Sequence, residues 1–223
     1  MYFHHACTSK LLHNLATDPA ISPFLLRLRN YHEETYAHSL RVCQLSLDLA
    51  IQQHLSPSDL WYLGCAGLLH DIGKLEIPRT ILDKPTALTA SENQIMQKHV
   101  RLSFWAIESI EAQRPDYEIV KKIAVAHHEF TTTPYPRNNT VCHLKAPKRS
   151  DRRRMDRNLY HLSQILAIAD MTDALHHTRS YKRSLSRSEV ECILRQEFQG
   201  DSYLVDDALW RLVEETQPLA NYH

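Results

Sequence analysis

The stretch Leu68-Leu69-His70-Asp71-Ile72-Gly73-Lys74 decides how this chain is read, because it sets an imidazole, a carboxylate and an amine at the end of an apolar run. An adjacent His-Asp pair offers a neutral nitrogen and an anionic oxygen to one small volume, and the carboxylate has a second oxygen with which to reach a second cation. Taken alone, the pair also fits a capping carboxylate over a packed histidine. The run before it starts at Ser56-Pro57, a capping serine and a proline suited to a first turn, and continues through Trp61 to Leu68. The pair therefore sits where a helix finishes, with the end expected at Gly73.

Outward from that helix the pattern stays helical. Only four glycines occur in 223 residues, and apolar residues recur every three or four positions rather than every second. The chain is read as all-α and as a single domain over residues 1–223, with 1–30 as an N-terminal helical segment. Helices are expected over 5–16, 20–30 and about 33–53, the last with Leu40, Cys43, Leu47 and Ala50 as a buried stripe. Thr89 with Glu92 makes a capping box that opens a helix carrying His99. Another helix runs from about Tyr117 to Ala126-His127-His128-Glu129, and one from about Leu159 carries Ile165, Ile168 and Ala169 to Asp170. Ser186 with Glu189 caps a further helix, and residues 203–217 form the last.

Residues 130–158 break the pattern. Thr131-Thr132-Thr133-Pro134-Tyr135-Pro136 is followed by a basic run containing Lys145, Lys148, Arg149, Arg152, Arg153, Arg154 and Arg157. This loop is open to three readings: a solvated face, a substrate lid, or a docking site for a protein partner.

Bulk properties narrow the function. The formal charge is zero, with 26 basic and 26 acidic side chains, so no overall field draws the chain onto a nucleic-acid polymer, and a small ligand is expected instead. No apolar run approaches the about 20 residues of a membrane helix, and the first residues do not resemble a secretory signal. Five scattered cysteines without a CxxC pair fit reduced thiols and a cytoplasmic setting. The fifteen histidines stand out, since imidazole is the commonest metal ligand.

Several polar residues fall where ligands could converge. Glu34 and His38 are four apart and share a helix face. His127 and His128 diverge by about 100° on a helix and suit two neighbouring metals better than one. Asp170 follows a strongly apolar stretch, where an ionised carboxylate without a cation is costly.

These residues resemble, in order, the HD superfamily of metal-dependent phosphohydrolases, through His38, His70-Asp71 and Asp170. The closer likeness is to its HD-GYP branch, through HDIGK at 70–74, Ile77-Pro78 to Leu82 with Lys84-Pro85 and Leu88-Thr89, His99, the HHE at 127–129, and Ala169-Asp170 through Asp173-Ala174-Leu175 to Arg179-Ser180-Tyr181-Lys182. The resemblance covers about residues 33–200. It implies an HD-domain helical bundle with an opening helix and additional C-terminal helices. Carried over residue by residue, it implies metal ligation by His38, His70, Asp71, His99, His127, His128 and Asp170, with Asp71 bridging two ions and Glu34 matching the carboxylate of three-metal members. Two or three divalent ions follow, iron or manganese first, a choice compatible with a nitrogen and oxygen donor set; zinc remains compatible too.

The implied reaction is hydrolysis of a cyclic dinucleotide, cyclic di-GMP to linear pGpG and onward to GMP. Clustered metals lower the pKa of water and bind phosphate oxygens. Asp71 and Lys74 are the expected catalytic residues, and Lys74, Arg179 and Lys182 the expected phosphate contacts. The alternatives are an HD phosphohydrolase for another nucleotide, or a catalytically weak signalling or protein-binding module. One segment departs from the family. Where members carry a DGxGYP-like sequence, this chain keeps only Tyr135-Pro136, loses both glycines and gains Pro134, which fixes φ and removes an N–H. The departure bears on substrate choice and partner binding more than on the ligands.

Overall fold

A computed structural model describes residues 2–134, 154–177 and 185–216. The helices are α1 (Tyr2–Ala16), α2 (Ser22–Tyr31), α3 (Glu33–Gln52), α4 (Pro57–Leu69), α5 (Arg79–Leu82), α6 (Ala90–Met96), α7 (Lys98–Glu111), α8 (Tyr117–Val125), α9 (Arg154–His176), α10 (Arg187–Glu197) and α11 (Tyr203–Thr216), with a 3-10 turn at Ile72–Glu76 between α4 and α5. Among the described residues the only β feature is an isolated bridge between Thr131 and Phe198. The expectation of an all-α fold holds.

Local chemistry sets the boundaries. The His32 ring accepts from the Thr35 amide and starts α3, and the Ser56 hydroxyl accepts from Asp59 to start α4. Thr89 with Glu92 and Ser186 with Glu189 form the two expected capping boxes. α3 is the central element, packed against α1, α2, α4, α9 and α11. Its Val42, Cys43, Leu47, Leu49 and Ala50 are fully buried, as are Leu63, Leu68 and Leu69 of α4 and Ile165, Leu166 and Ile168 of α9. Each large side chain of this set contributes about 1.5–3 kcal/mol of transfer free energy.

Four boundaries differ from the sequence reading. α4 stops at Leu69, with His70 as its C-cap, and the chain tightens into the 3-10 turn instead of continuing to Gly73. The reason is α7: a Cβ on Gly73 would lie 2.1 Å from the His99 carbonyl oxygen and 2.5 Å from the Ser103 nitrogen, so only glycine lets the turn lie this close. The helix expected to run from Thr89 through His99 is divided at Gln97 into α6 and α7. His127 and His128 lie just past the end of α8, and α9 begins at Arg154 rather than Leu159.

The segment after α8 is tied to the C-terminal helices. The Gln199 amide donates to the Phe130 carbonyl at 3.0 Å, and the Thr132 amide to the Glu197 carbonyl at 3.1 Å. Tyr135-Pro136 and the basic residues from Lys145 to Arg153 lie outside the described residues.

Candidate metal centre

Three imidazoles are oriented by the chain's own backbone. His70 Nδ1 is 2.8 Å from the Gly67 carbonyl, His99 Nδ1 is 2.7 Å from that of Met96, and His127 Nδ1 is 2.5 Å from that of Ala124. A carbonyl only accepts, so in each ring Nδ1 carries the proton and Nε2 is left as the lone-pair nitrogen. Each of these residues sits at a helix end or first turn, where a carbonyl three residues back is within reach. His38 is held differently, with Nδ1 2.6 Å from Asp173 Oδ2.

The Nε2 atoms converge. His38 Nε2 lies 3.0 Å from Asp170 Oδ1 and 3.6 Å from Asp71 Oδ2, and His70 Nε2 lies 3.5 Å from the same Asp71 oxygen and 3.8 Å from Asp170 Oδ1. The other Asp71 oxygen, Oδ1, is 3.3 Å from His99 Nε2, which is 3.4 Å from His127 Nε2. The His127 and His128 rings are 4.0 Å apart between centroids. Three sets of donors each share one ion-sized volume: His38, His70 and Asp71; His70, His127 and Asp170; and His99, His127 and His128.

Buried polarity supports a cation here. His70, Asp71, His99 and His127 are essentially inaccessible, and Nε2 of His70 is buried with no hydrogen-bond partner among the described residues. Such atoms are costly unless something accepts their lone pairs. The donors are imidazole nitrogens and carboxylate oxygens, which suit first-row divalent ions, so the residues fit a metal site of the kind on which HD domains depend.

Protonation follows the surroundings. Burial pushes His99 down to about 4 and His127 to about 3 against the pull of Asp71 and Asp170. His128 is pushed well below the usual range by burial and by the His127 ring beside it. Burial also opposes ionisation of Asp71 and Asp170, but the Lys74 ammonium holds the first, and His38 the second, well below the carboxylate range. Anionic carboxylates and neutral imidazoles are the forms in which these groups bind metal. His38 is the exception: burial disfavours its charge, yet Asp170 and Asp173 outweigh burial and raise the ring to about 9.

His38, Asp71, His99, His128 and Asp170 of the centre line a cavity of about 690 Å³, together with Glu34, Arg41, Lys74, Lys84 and His177. That volume suits a small-molecule ligand. Lys74 Nζ is 2.6 Å from Asp71 Oδ2. Glu34 is exposed and lines the cavity, and it belongs to none of the three donor sets found among the described residues. Thus the structure gathers His38, His70, Asp71, His99, His127, His128 and Asp170, places Glu34 at the margin, and puts Lys74 in the cavity lining. Arg179 and Lys182 lie outside the described residues.

Three residues given no role in the sequence reading also serve the centre. The Ser103 hydroxyl donates to the His70 carbonyl at 2.7 Å and accepts from the Gly73 amide at 2.9 Å, joining α7 to the His-Asp turn. Asp173 accepts from His38 and receives Arg41 through two contacts of 2.7 and 3.0 Å. Asp173 is three residues from Asp170, and Arg41 three from His38, so helical spacing was the available signal.

No described helix is long and apolar enough to cross a membrane. The HD domain family pattern matches residues 35–175. The chain is 34% identical over 164 residues, 73% of its length and 34% of the relative's, to 3'3'-cGAMP-specific phosphodiesterase 1 of Vibrio cholerae. It is 31% identical to a cyclic di-GMP phosphodiesterase of Pseudomonas aeruginosa, over 74% of this chain and 36% of that one. A cyclic di-GMP phosphodiesterase of Thermotoga maritima is 33% identical over 67% of this chain and 36% of its own. The chain thus spans about a third of the length of these curated relatives. With the family pattern covering well over half of its residues, around the same histidines and aspartates that meet in the fold, the chain belongs to the HD domain family.

Proposed function

We propose that this chain is a metal-dependent phosphodiesterase that opens a cyclic dinucleotide, cyclic di-GMP first, to the linear dinucleotide pGpG and then to GMP. The observation that carries the reading is the convergence of five imidazoles and two carboxylates, of which His38, His99, His128, Asp71 and Asp170 line a cavity of about 690 Å³. The names of the relatives agree with it, since they act on cyclic di-GMP or 3'3'-cGAMP. His38, His70 and Asp170 would hold one ion and His99, His127 and His128 another. Asp71 serves both, because its two oxygens face the two groups. Glu34 is the candidate for a third ion. Iron and manganese are the favoured metals on the thiolate-free donor set.

When bound, such ions neutralise phosphate charge and make water a nucleophile at neutral pH. The protein's own groups do the rest. The three Nδ1-to-carbonyl hydrogen bonds aim His70, His99 and His127 before any ligand arrives, so no rotamer search accompanies binding. Lys74 places a positive charge at the cavity floor, where an anionic phosphodiester would lie, and is assigned to charge stabilisation. Arg179 and Lys182 are assigned to phosphate contact on the family likeness alone. A protein partner at residues 130–158 and a cytoplasmic setting belong to the same proposal, the latter resting on the scattered cysteines.

Protein purified without chelator and loaded anaerobically with iron or manganese should convert cyclic di-GMP to pGpG, followed by chromatography of the products. Turnover restricted to other nucleotides would move the assignment to a different HD phosphohydrolase. Tight binding without turnover would make the chain a signalling module, the reading favoured by the altered segment at 130–136.

A further inference from the structure

His38 differs from the other oriented imidazoles in where it sits. His70, His99 and His127 borrow a carbonyl three residues back at a helix end or first turn. His38 lies inside α3, where the preceding carbonyls are engaged by the helix itself. Its Nδ1 faces a side chain from another element instead of a backbone carbonyl.

That side chain is Asp173 of α9. It is 4% exposed, and both of its oxygens are doubly engaged. Oδ2 lies 2.6 Å from His38 Nδ1 and 3.0 Å from Arg41 Nη2, while Oδ1 lies 2.7 Å from Arg41 Nε and 2.9 Å from His177 Nδ1. Three of these contacts are hydrogen bonds, two of them from the Arg41 guanidinium, and the His177 ring lies against the same carboxylate. Arg41 closes a planar fork on it, so the acceptor can neither rotate nor swing away.

We propose that Asp173 is a positioning residue for His38: it accepts the hydrogen bond from Nδ1–H, turns Nε2 toward Asp71 and Asp170, and is itself locked in place by Arg41. The inference rests on the metal-centre reading and is independent of which dinucleotide is cleaved. It assigns His38 a side-chain support where His99 and His127 rest on backbone carbonyls.

The full chain, stripped with chelator, is titrated with manganese while free ion is followed by electron paramagnetic resonance. The cobalt-loaded form is then examined by proton NMR for the shifted Nδ1–H signals of its ligands. In Asp173→Asn, of equal volume but neutral and with one acceptor oxygen replaced by an N–H donor that must face His38 or Arg41, one ion should bind about 10- to 100-fold more weakly while the other is unchanged. One Nδ1–H signal should be lost to exchange with water while the backbone-held signals remain. Arg41→Ala, which keeps the carboxylate but unlocks it, should weaken the same ion by a smaller factor, and it carries the test if Asp173→Asn does not fold. Unchanged affinity for every ion with all signals retained, or equal weakening of all ions in a folded variant, overturns the proposal. Wild-type protein that takes up no ion overturns the metal reading itself, and the proposal with it.

Discussion

The two halves of the centre use the same side chain in opposite electrostatic settings. On the α7 and α8 side, His99 and His127 are buried against other imidazoles, with one Asp71 oxygen 3.3 Å from His99, and burial drives them to about 4 and about 3. On the α3 and α9 side, His38 is buried as deeply but faces Asp170 and Asp173, and is raised to about 9. Burial alone therefore does not decide the state of a histidine; the count of carboxylates within hydrogen-bonding distance does. Asp71 lies between the two settings and touches both.

The comparison can be broken most completely at that shared residue. Asp71→Ala should lose iron and manganese from both halves and bring hydrolysis to background, as read by elemental analysis and product chromatography; a variant that keeps both metal and turnover would remove Asp71 from the centre. Next in size is Gly73→Ala, which sharpens the comparison by testing how tightly the two halves are joined. The new Cβ would collide with backbone atoms of His99 and Ser103 that have no freedom to retreat, so a loss of about 3 kcal/mol in a denaturant titration is expected. Ser103→Ala leaves the His70 carbonyl and the Gly73 amide without their partner at the same seam. A cost of about 1–3 kcal/mol is expected, with a fall of several degrees in Tm.

The smallest effect tests a place away from both halves. The Glu92 carboxyl is lowered to about 2 by Lys84 and by the amide and hydroxyl of Thr89. A lowered carboxyl contributes stability that is complete above its unfolded value of 4.5 and fades as pH falls toward about 2. The Tm gap between wild type and Glu92→Gln should therefore narrow below about pH 4.5. A gap that is flat across that range would show that the Thr89 cap holds without the charge.

Most of the helices were legible in the sequence, and so were the candidate ligands that the fold brings together, with Glu34 left at the margin. Apolar spacing located α3, α4 and α9, and the capping boxes at Thr89 and Ser186 located α6 and α10. Asp170 betrayed itself as a carboxylate after an apolar run. What was not legible depends on contacts between distant parts of the chain. Asp173 reaches His38 across 135 positions; helical spacing sets Asp173 beside Asp170 and Arg41 beside His38, but does not bring the two pairs together. The early end of α4 is dictated by the approach of α7 to Gly73, which is invisible until both helices are placed. The break at Gln97 escaped because periodicity reports that a stretch is helical, not where it is interrupted. Arg179 and Lys182 were named on likeness alone and still rest on it.

The pair of hydrogen bonds that fastens Phe130 and Thr132 to Gln199 and Glu197 has a practical corollary. The family pattern ends at residue 175, and an experimenter trimming the chain to that boundary would keep every proposed ligand yet cut away the mooring of the strip that follows His127 and His128. The folded unit is thus longer than its signature, and the final two helices belong to it as a buttress.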